Sequence, residues 1–230
     1  MHLRNPLVLF LSVVILAAVA QTPPKKIALP LDQNTALRAI NTAVQPEPFL
    51  GLPSLRVTDT APPSVTDGGR LVMLPAAAFQ NGEFEVDVAG EPGPGANAGA
   101  RGFVGIAFRV DGAAEHFEYF YVRPTNGRSG DQTRRNHSMQ YAAHPDYPWH
   151  VLREKEPARY ESYADMEPAK WIHIRAQVDG RTARFFVNGA EQPSLVVSDL
   201  KLGAGGGALG LWIGPGTIAH FANLNVTAAP

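Results

Sequence analysis

From Ser54 towards the C-terminus, apolar side chains recur at every second position in short runs, and this period of two restricts the fold more than any other feature of the chain. Leu71 to Leu74, Phe84-Val86-Val88, Val104-Ile106-Phe108-Val110 and Phe117-Tyr119-Tyr121 each carry it, bounded by Gly, Pro, Asn or Asp. It returns in Ile172-Ile174-Ala176-Val178, Ala183-Phe185-Val187, Leu209-Leu211-Ile213 and around Phe221 to Val226. Successive side chains of a strand point to opposite faces, so each run predicts a strand with one buried face. Asp179-Gly180 lies between two runs and Asn188-Gly189 follows the second, where hairpin turns need residues that accept positive φ. With 22 Gly and 20 Pro, the chain is punctuated for many short strands. The expected class is all-β, a jelly-roll β-sandwich of two antiparallel sheets. The alternation also assigns faces. If Ile106 and Phe108 are core, Ala107 and Arg109 lie opposite them; if Ile172 and Ile174 are core, Trp171, His173 and Arg175 point outward.

The first fifty residues read differently. In residues 1–20, His2 and Arg4 precede an apolar run that closes on Ala18-Val19-Ala20. At roughly 15 residues the run is shorter than the ~20 that span a bilayer, so it predicts a signal peptide cleaved after Ala20. An uncleaved anchor is the alternative. The protein is expected to be secreted or periplasmic, with no stable membrane insertion once the leader is removed. Residues 21–53 read as a tether containing Pro23-Pro24-Lys25-Lys26, followed by Leu37, Ile40 and Val44 at spacings of three and four. These predict one short helix or turn, ended by Pro46 and Pro48. Residues 54–230 are expected to form the sandwich domain.

Several functions are excluded by composition. Twenty Lys+Arg against 21 Asp+Glu leave a formal charge of -1, with no basic bulk for nucleic acid. The absence of cysteine excludes disulfides, thiolate nucleophiles and Cys-ligated zinc. The seven histidines never fall in a His-x-x-x-His spacing, so neither a metal nor a cofactor is expected. Gly203 to Gly207 is not followed by Lys-Ser/Thr, and no Gly-x-Ser-x-Gly occurs. Catalysis would have to come from carboxylates, histidines, arginines or a bound hard metal. The near-zero whole-chain charge favours a carbohydrate or other small neutral ligand.

One region breaks the period. Between Pro124 and Pro168 only Met139 to Ala142 is strand-like, yet the segment is rich in Arg, His, Tyr and Trp. Long loops in compact domains are usually functional or disordered, and aromatics argue against disorder, so an ordered excursion over one face is expected. It contributes Arg135, Asn136, Gln140 and Trp149 as candidate substrate-binding residues, joined by Arg123 just before it and His173 on a later strand. Arg123, Arg128, Arg134 and Arg135, with only Asp131 against them, carry a local charge of +3 and could clamp a carboxylate or phosphate, which guanidinium forks bind in bidentate fashion; paired, solvated arginines are the plainer alternative, favoured for Arg128. Trp149 and Trp171 are candidates for stacking on a sugar ring. Arg109 and Glu118 could meet across neighbouring strands and act on a ligand, or form a rim ion pair. Glu85 and Asp87 share a strand face, as the two carboxylates of a retaining glycosidase would, but Glu91 falls in a turn between Gly90 and Pro92. Solvent-facing polar alternation is the preferred reading there.

The order of Phe79-Gln80-Asn81-Gly82-Glu83-Phe84-Glu85-Val86-Asp87, Gly105-Ile106-Ala107-Phe108-Arg109, Phe117-Glu118-Tyr119-Phe120-Tyr121-Val122-Arg123-Pro124, Trp171, Asn188-Gly189, Gly207-Ala208-Leu209-Gly210-Leu211-Trp212 and Phe221-Ala222-Asn223-Leu224 resembles the concanavalin A-like lectin/glucanase superfamily. Within it, the chain resembles the secreted 3-keto-disaccharide hydrolase domains, which are similar to family 16 glycoside hydrolases. The resemblance spans roughly Ser54 to Thr227. It implies a concave face that holds carbohydrate, with positions matching Arg109 and Glu118 on that face. Hydrolysis or elimination of a glycoside, including one oxidised at a ring carbon, is the implied activity, with Glu118 as acid/base and Arg109 holding it or a substrate oxygen. A noncatalytic carbohydrate-binding or protein-interaction module of the same fold is the alternative.

Overall fold

A computed structural model describes residues 26–31, 36–62 and 64–229. The leader in residues 1–20 and nearly all of the proline-rich tether lie outside the described residues. Along the chain run β1 (Lys26–Ala28), β2 (Arg38–Ile40), β3 (Thr42–Pro46), β4 (Leu55–Asp59), β5 (Leu71–Phe79), β6 (Gly82–Pro92), β7 (Val104–Val110) and β8 (Phe117–Val122). Then follow α1 (Pro124–Gly127), α2 (Gln132–Asn136), β9 (Met139–His144), α3 (Trp149–Lys155) and β10 (Glu161–Ser162). The chain finishes with β11 (Ile172–Asp179), β12 (Thr182–Val187), β13 (Leu195–Val197), β14 (Gly207–Ile213) and β15 (Thr217–Ala228).

These strands form the expected sandwich of two antiparallel sheets. The first has the order β13-β12-β11-β6-β15-β4-β3, with β1 also paired to β15; the second has the order β10-β9-β8-β7-β14-β5-β2. The period-two runs became strands because alternate apolar side chains bury one face. In β11, Ile172, Ile174, Ala176 and Val178 are buried while His173, Arg175 and Gln177 are partly exposed. The sheets meet through aromatic rings: Phe84 of β6 lies 5.8 Å from Phe108 of β7, and Phe120 of β8 stacks at 4.3 Å on Phe185 of β12. Burial of such rings is the main stabilising term in a chain without disulfides, at about 1.5–3 kcal/mol for a fully buried large apolar side chain.

Two expectations are corrected. Leu37, Ile40 and Val44 do not share a helix face. Asn41, at φ 54, turns the chain between β2 and β3, so Ile40 pairs with Leu71 in the second sheet and Val44 with Val57 in the first. Local spacing could not separate one helical stripe from two edge strands joined by a turn. The excursion is the second case: beyond β9 it also contains three short helices and β10, which extends the second sheet at its edge.

Candidate functional site

The outer face of the second sheet carries the site, which rests on a buried aromatic cluster. Tyr119 and Tyr121 of β8 stack on each other with centroids 5.7 Å apart, and Trp212 of β14 lies 4.8 and 4.7 Å from them. All three are buried. Gly105 lets this cluster form. It pairs with Tyr121, and a Cβ there would fall 2.0 Å from the Phe120 carbonyl oxygen. The Trp212 indole donates to the Gly68 carbonyl at 3.1 Å, drawing the β4–β5 connection over the cluster.

Asp67, Phe103, Trp149 and Pro215 pack over this cluster and also line an open cavity of about 480 Å³, within the ordinary size of small-molecule sites. Asp67 comes from the β4–β5 connection, Asn97, Arg101 and Phe103 from the β6–β7 connection, and Asn126, Thr133, Arg134, His137, Trp149 and Arg153 from the excursion. Asp131 caps α2 by accepting from the backbone N–H groups of Thr133 and Arg134, which fixes the short helix carrying Arg134. At the opposite wall the Trp149 indole donates to Asp67 Oδ2 at 3.0 Å.

Arg123 and Glu161 tie wall to cluster. The buried Arg123 guanidinium lies 4.9 Å from the Tyr121 ring centroid and donates to the Tyr121 hydroxyl at 2.8 Å, to the His137 carbonyl at 2.9 Å and to Gln140 Oε1. The Glu161 carboxylate, 3 % exposed, accepts two hydrogen bonds from Arg153 Nε at 3.0 and 3.2 Å and a further one from Nη2. His137 Nδ1 lies against Glu161 Oε2 without hydrogen-bond alignment. Burial holds the His137 imidazole below its ordinary pKa, the attraction of Glu161 offsetting only part of that cost. Arg153 also lies 4.7 Å from the Trp149 ring centroid, so one guanidinium braces both the acid and the aromatic wall.

Of the residues expected from sequence, the cavity brings together Arg123 and Trp149, with Gln140 supporting Arg123 from beneath. Arg135 instead donates to the Tyr163 hydroxyl at 2.7 Å, and Asn136 accepts from Gln132 at 2.8 Å; neither lines the cavity. His173 lies on the outer face of the other sheet, 2.7 Å from Asp87 Oδ1. There Asp87 also accepts from Asn223 and Glu85 pairs with Lys26, the solvent-facing role preferred for them. Arg128 pairs with Asp165 and Glu167 at the surface, and Trp171 packs edge-on to Phe49.

The faces assigned to Arg109 and Glu118 are corrected. Glu118 pairs with Phe108 and shares its side of β8 with Phe120, so it lies between the sheets with no exposed surface. Its carboxylate accepts from the Tyr141 hydroxyl and from the Leu202 N–H at 2.8 Å, and burial pushes its pKa up. Arg109 sits in a bulge at φ 55 and donates to the carbonyls of Gln80, Gly180 and Gly203, joining turns of both sheets at one end of the sandwich. Among the described residues no hydrogen bond or ion pair joins the two. The phase of β8 was misread because both its faces are buried, one by the first sheet and one by the cavity walls. The polar and aromatic cavity residues missed from sequence were Asp67, Asn97, Arg101, Phe103, Asn126, Thr133, His137 and Arg153. The one available signal was the Asp131-Gln132-Thr133 helix start, which distinguishes Arg134 from Arg135 by helical angle.

Among the described residues, no three His, Asp or Glu side chains cluster as metal ligands, and no helix is long and apolar enough to cross a membrane. Asp67 is the only carboxylate among the cavity-lining residues.

Comparison with known proteins gives no matching family model and no matching curated protein. Solved structures do match. The carbohydrate-binding module CBM66 from Bacillus subtilis aligns with a TM-score of 0.57 at 14% identity, covering 85% of this chain and 98% of that one. A Bacillus subtilis protein of unknown function with a galectin-like fold aligns at 0.54 and 12% identity, covering 87% and 94%. A protein from Parabacteroides distasonis, provisionally assigned as a glycosyl hydrolase, aligns at 0.51 and 11% identity, covering 86% and 91%. At such identities the likeness is one of fold: the chain is a jelly-roll sandwich of two antiparallel sheets.

Proposed function

We propose that the protein binds a saccharide in the cavity on the outer face of its second sheet and does not cleave it. The observation that supports this is a cavity in which Trp149 and Phe103 stand among hydrogen-bonding side chains, with a single carboxylate, Asp67, among the lining residues. Hydrolysis by paired carboxylates needs two acids flanking the bond. Sugar recognition needs polar groups that fix the hydroxyls and an apolar surface for the ring, and Trp149, Phe103 and Asp67 supply both. The resemblance to CBM66 in fold is consistent with this reading. Export is part of it, carried by the leader pattern of residues 1–20, and N-terminal sequencing of the protein from a producing culture tests the cleavage after Ala20. The binding itself is tested by calorimetry against a panel of mono- and oligosaccharides, with product analysis of the same mixtures. Saturable binding that weakens in Trp149→Ala, without new reducing ends, is expected; no binding across the panel overturns the proposal.

A second reading, hydrolysis or elimination of a glycoside or 3-keto-glycoside, is favoured by one contact. His137, whose pKa burial lowers, lies beside the Glu161 carboxylate at the cavity wall, where a general base could stand. Turnover of 3-keto-glycosides that disappears in His137→Gln would establish it; absence of turnover leaves the binding reading.

A further inference from the structure

The cavity is more positive than the chain. Four guanidiniums line it, from Arg101, Arg123, Arg134 and Arg153, against the single lining carboxylate of Asp67. The buried Glu161 answers Arg153 directly and Arg123 at 3.9 Å. Arg101 and Arg134 have no such partner: among the described residues neither makes an ion pair with a carboxylate. Arg101 donates to the carbonyls of Ala98 at 2.7 Å and Ala100 at 2.8 Å, and Arg134 to Asn126 Oδ1 at 3.2 Å and, at 3.4 Å, to the Thr125 carbonyl and hydroxyl. These neutral partners hold the side chains over the cavity without cancelling their charge. Burial, and then repulsion from Arg134 and Arg123, lowers the Arg101 pKa, which shows that these cations lie within electrostatic reach of one another.

A cavity wall with two uncompensated guanidiniums, in a chain of formal charge -1, is suited to an anion. The rest of the cavity is not that of a simple anion site. Phe103 and Trp149 give it aromatic surface, and Asp67, whose Oδ2 is taken by Trp149, leaves Oδ1 to accept from a hydroxyl. We propose that the ligand is an acidic saccharide whose terminal uronic acid presents its carboxylate to Arg101 and Arg134 while its ring lies on the aromatic side of the cavity. This rests on the saccharide reading above and names the class of sugar. Whole-chain charge favoured a neutral ligand only because averaging over the sequence hides a local imbalance.

The test is calorimetric titration of the protein with glucuronate, galacturonate and their dimers, beside glucose, galactose, a 6-sulfated hexose and inorganic phosphate, each at low and high salt. The expected result is uronate binding at least about tenfold tighter than the matched neutral sugar, weakening with salt, and falling to the level of the neutral sugar in Arg101→Gln or Arg134→Gln. If these variants fail to fold, the salt dependence and the acid-to-neutral ratio of the unaltered protein still decide the question. Neutral sugars bound as tightly as uronates overturn this inference and leave the saccharide reading standing. Sulfated sugar or phosphate bound as tightly as uronate overturns the carboxylate assignment. Absence of binding by every sugar overturns the saccharide reading itself.

Discussion

The Trp149 indole donates to Asp67 Oδ2 at 3.0 Å, and this one hydrogen bond joins the start of α3 to the β4–β5 connection in one wall of the cavity. Both segments are connections between strands, so the bond holds that wall together. Trp149→Phe keeps a ring for packing and removes the donor. Saccharide affinity is expected to fall by roughly five- to tenfold, a part of the ~1.5–3 kcal/mol that a hydrogen bond to a charged group contributes. Calorimetric titration reads it, and unchanged affinity would show that the wall stands without the bond.

Glu118 serves the interior. Glu118→Ala removes the acceptor for the Tyr141 hydroxyl and the Leu202 N–H and leaves a void between the sheets. The expected loss of stability is about 2–4 kcal/mol, measured by urea unfolding, with saccharide affinity of the folded protein unchanged. A stable variant with lost ligand binding would return Glu118 to the site.

Gly105 is expected to tolerate no larger residue. In Gly105→Ala the new methyl group would meet the Phe120 carbonyl and the Tyr121 Cα, at 2.0 and 2.6 Å, so β7 and β8 must separate beside the cluster. Thermal unfolding should show a loss of about 1–3 kcal/mol. Near-ultraviolet circular dichroism should change with it, since Tyr121 and Trp212 pack there.

Stability should depend on pH through His173 and Asp87. The hydrogen bond from His173 to Asp87 raises the His173 pKa, and that bond and the one from Asn223 lower that of Asp87 against the opposing cost of its burial. The His173 contribution is present below the unfolded imidazole value of about 6.5 and is lost as pH rises through its raised folded value. The Asp87 contribution is present above the unfolded value of about 3.9 and is lost as pH falls through its lowered folded value. Both groups are partly exposed, so the whole effect is about 1 kcal/mol or less. His173→Asn should flatten the loss of stability between mildly acidic and mildly alkaline pH, as read from urea unfolding midpoints; an unaltered slope would show the pair to be inert.

The strands and most hairpins were legible because their signals are local. Ile172 to Val178 alternates whatever packs on it, and Asp179-Gly180 turns because its backbone accepts positive φ. The excursion was also legible as an ordered unit from its aromatics, and Trp149 within it and Arg123 just before it line the cavity. Arg134 and Arg135 have the same side-chain type, and the turn of α2 sends one to the cavity and the other to Tyr163.

Period-two patterning and turn chemistry thus determined, from sequence alone, an all-β chain with two-sheet packing. Tertiary structure decided which face of β8 is which. With Phe120 and Glu118 on one side and Tyr119 and Tyr121 on the other, both sides are buried and the pattern carries no phase. It also decided the site's charge. Arg101, Arg134 and Asp67 are far apart in sequence and come from three separate connections, and only the closure of those connections over Trp212 and Tyr121 makes them one field.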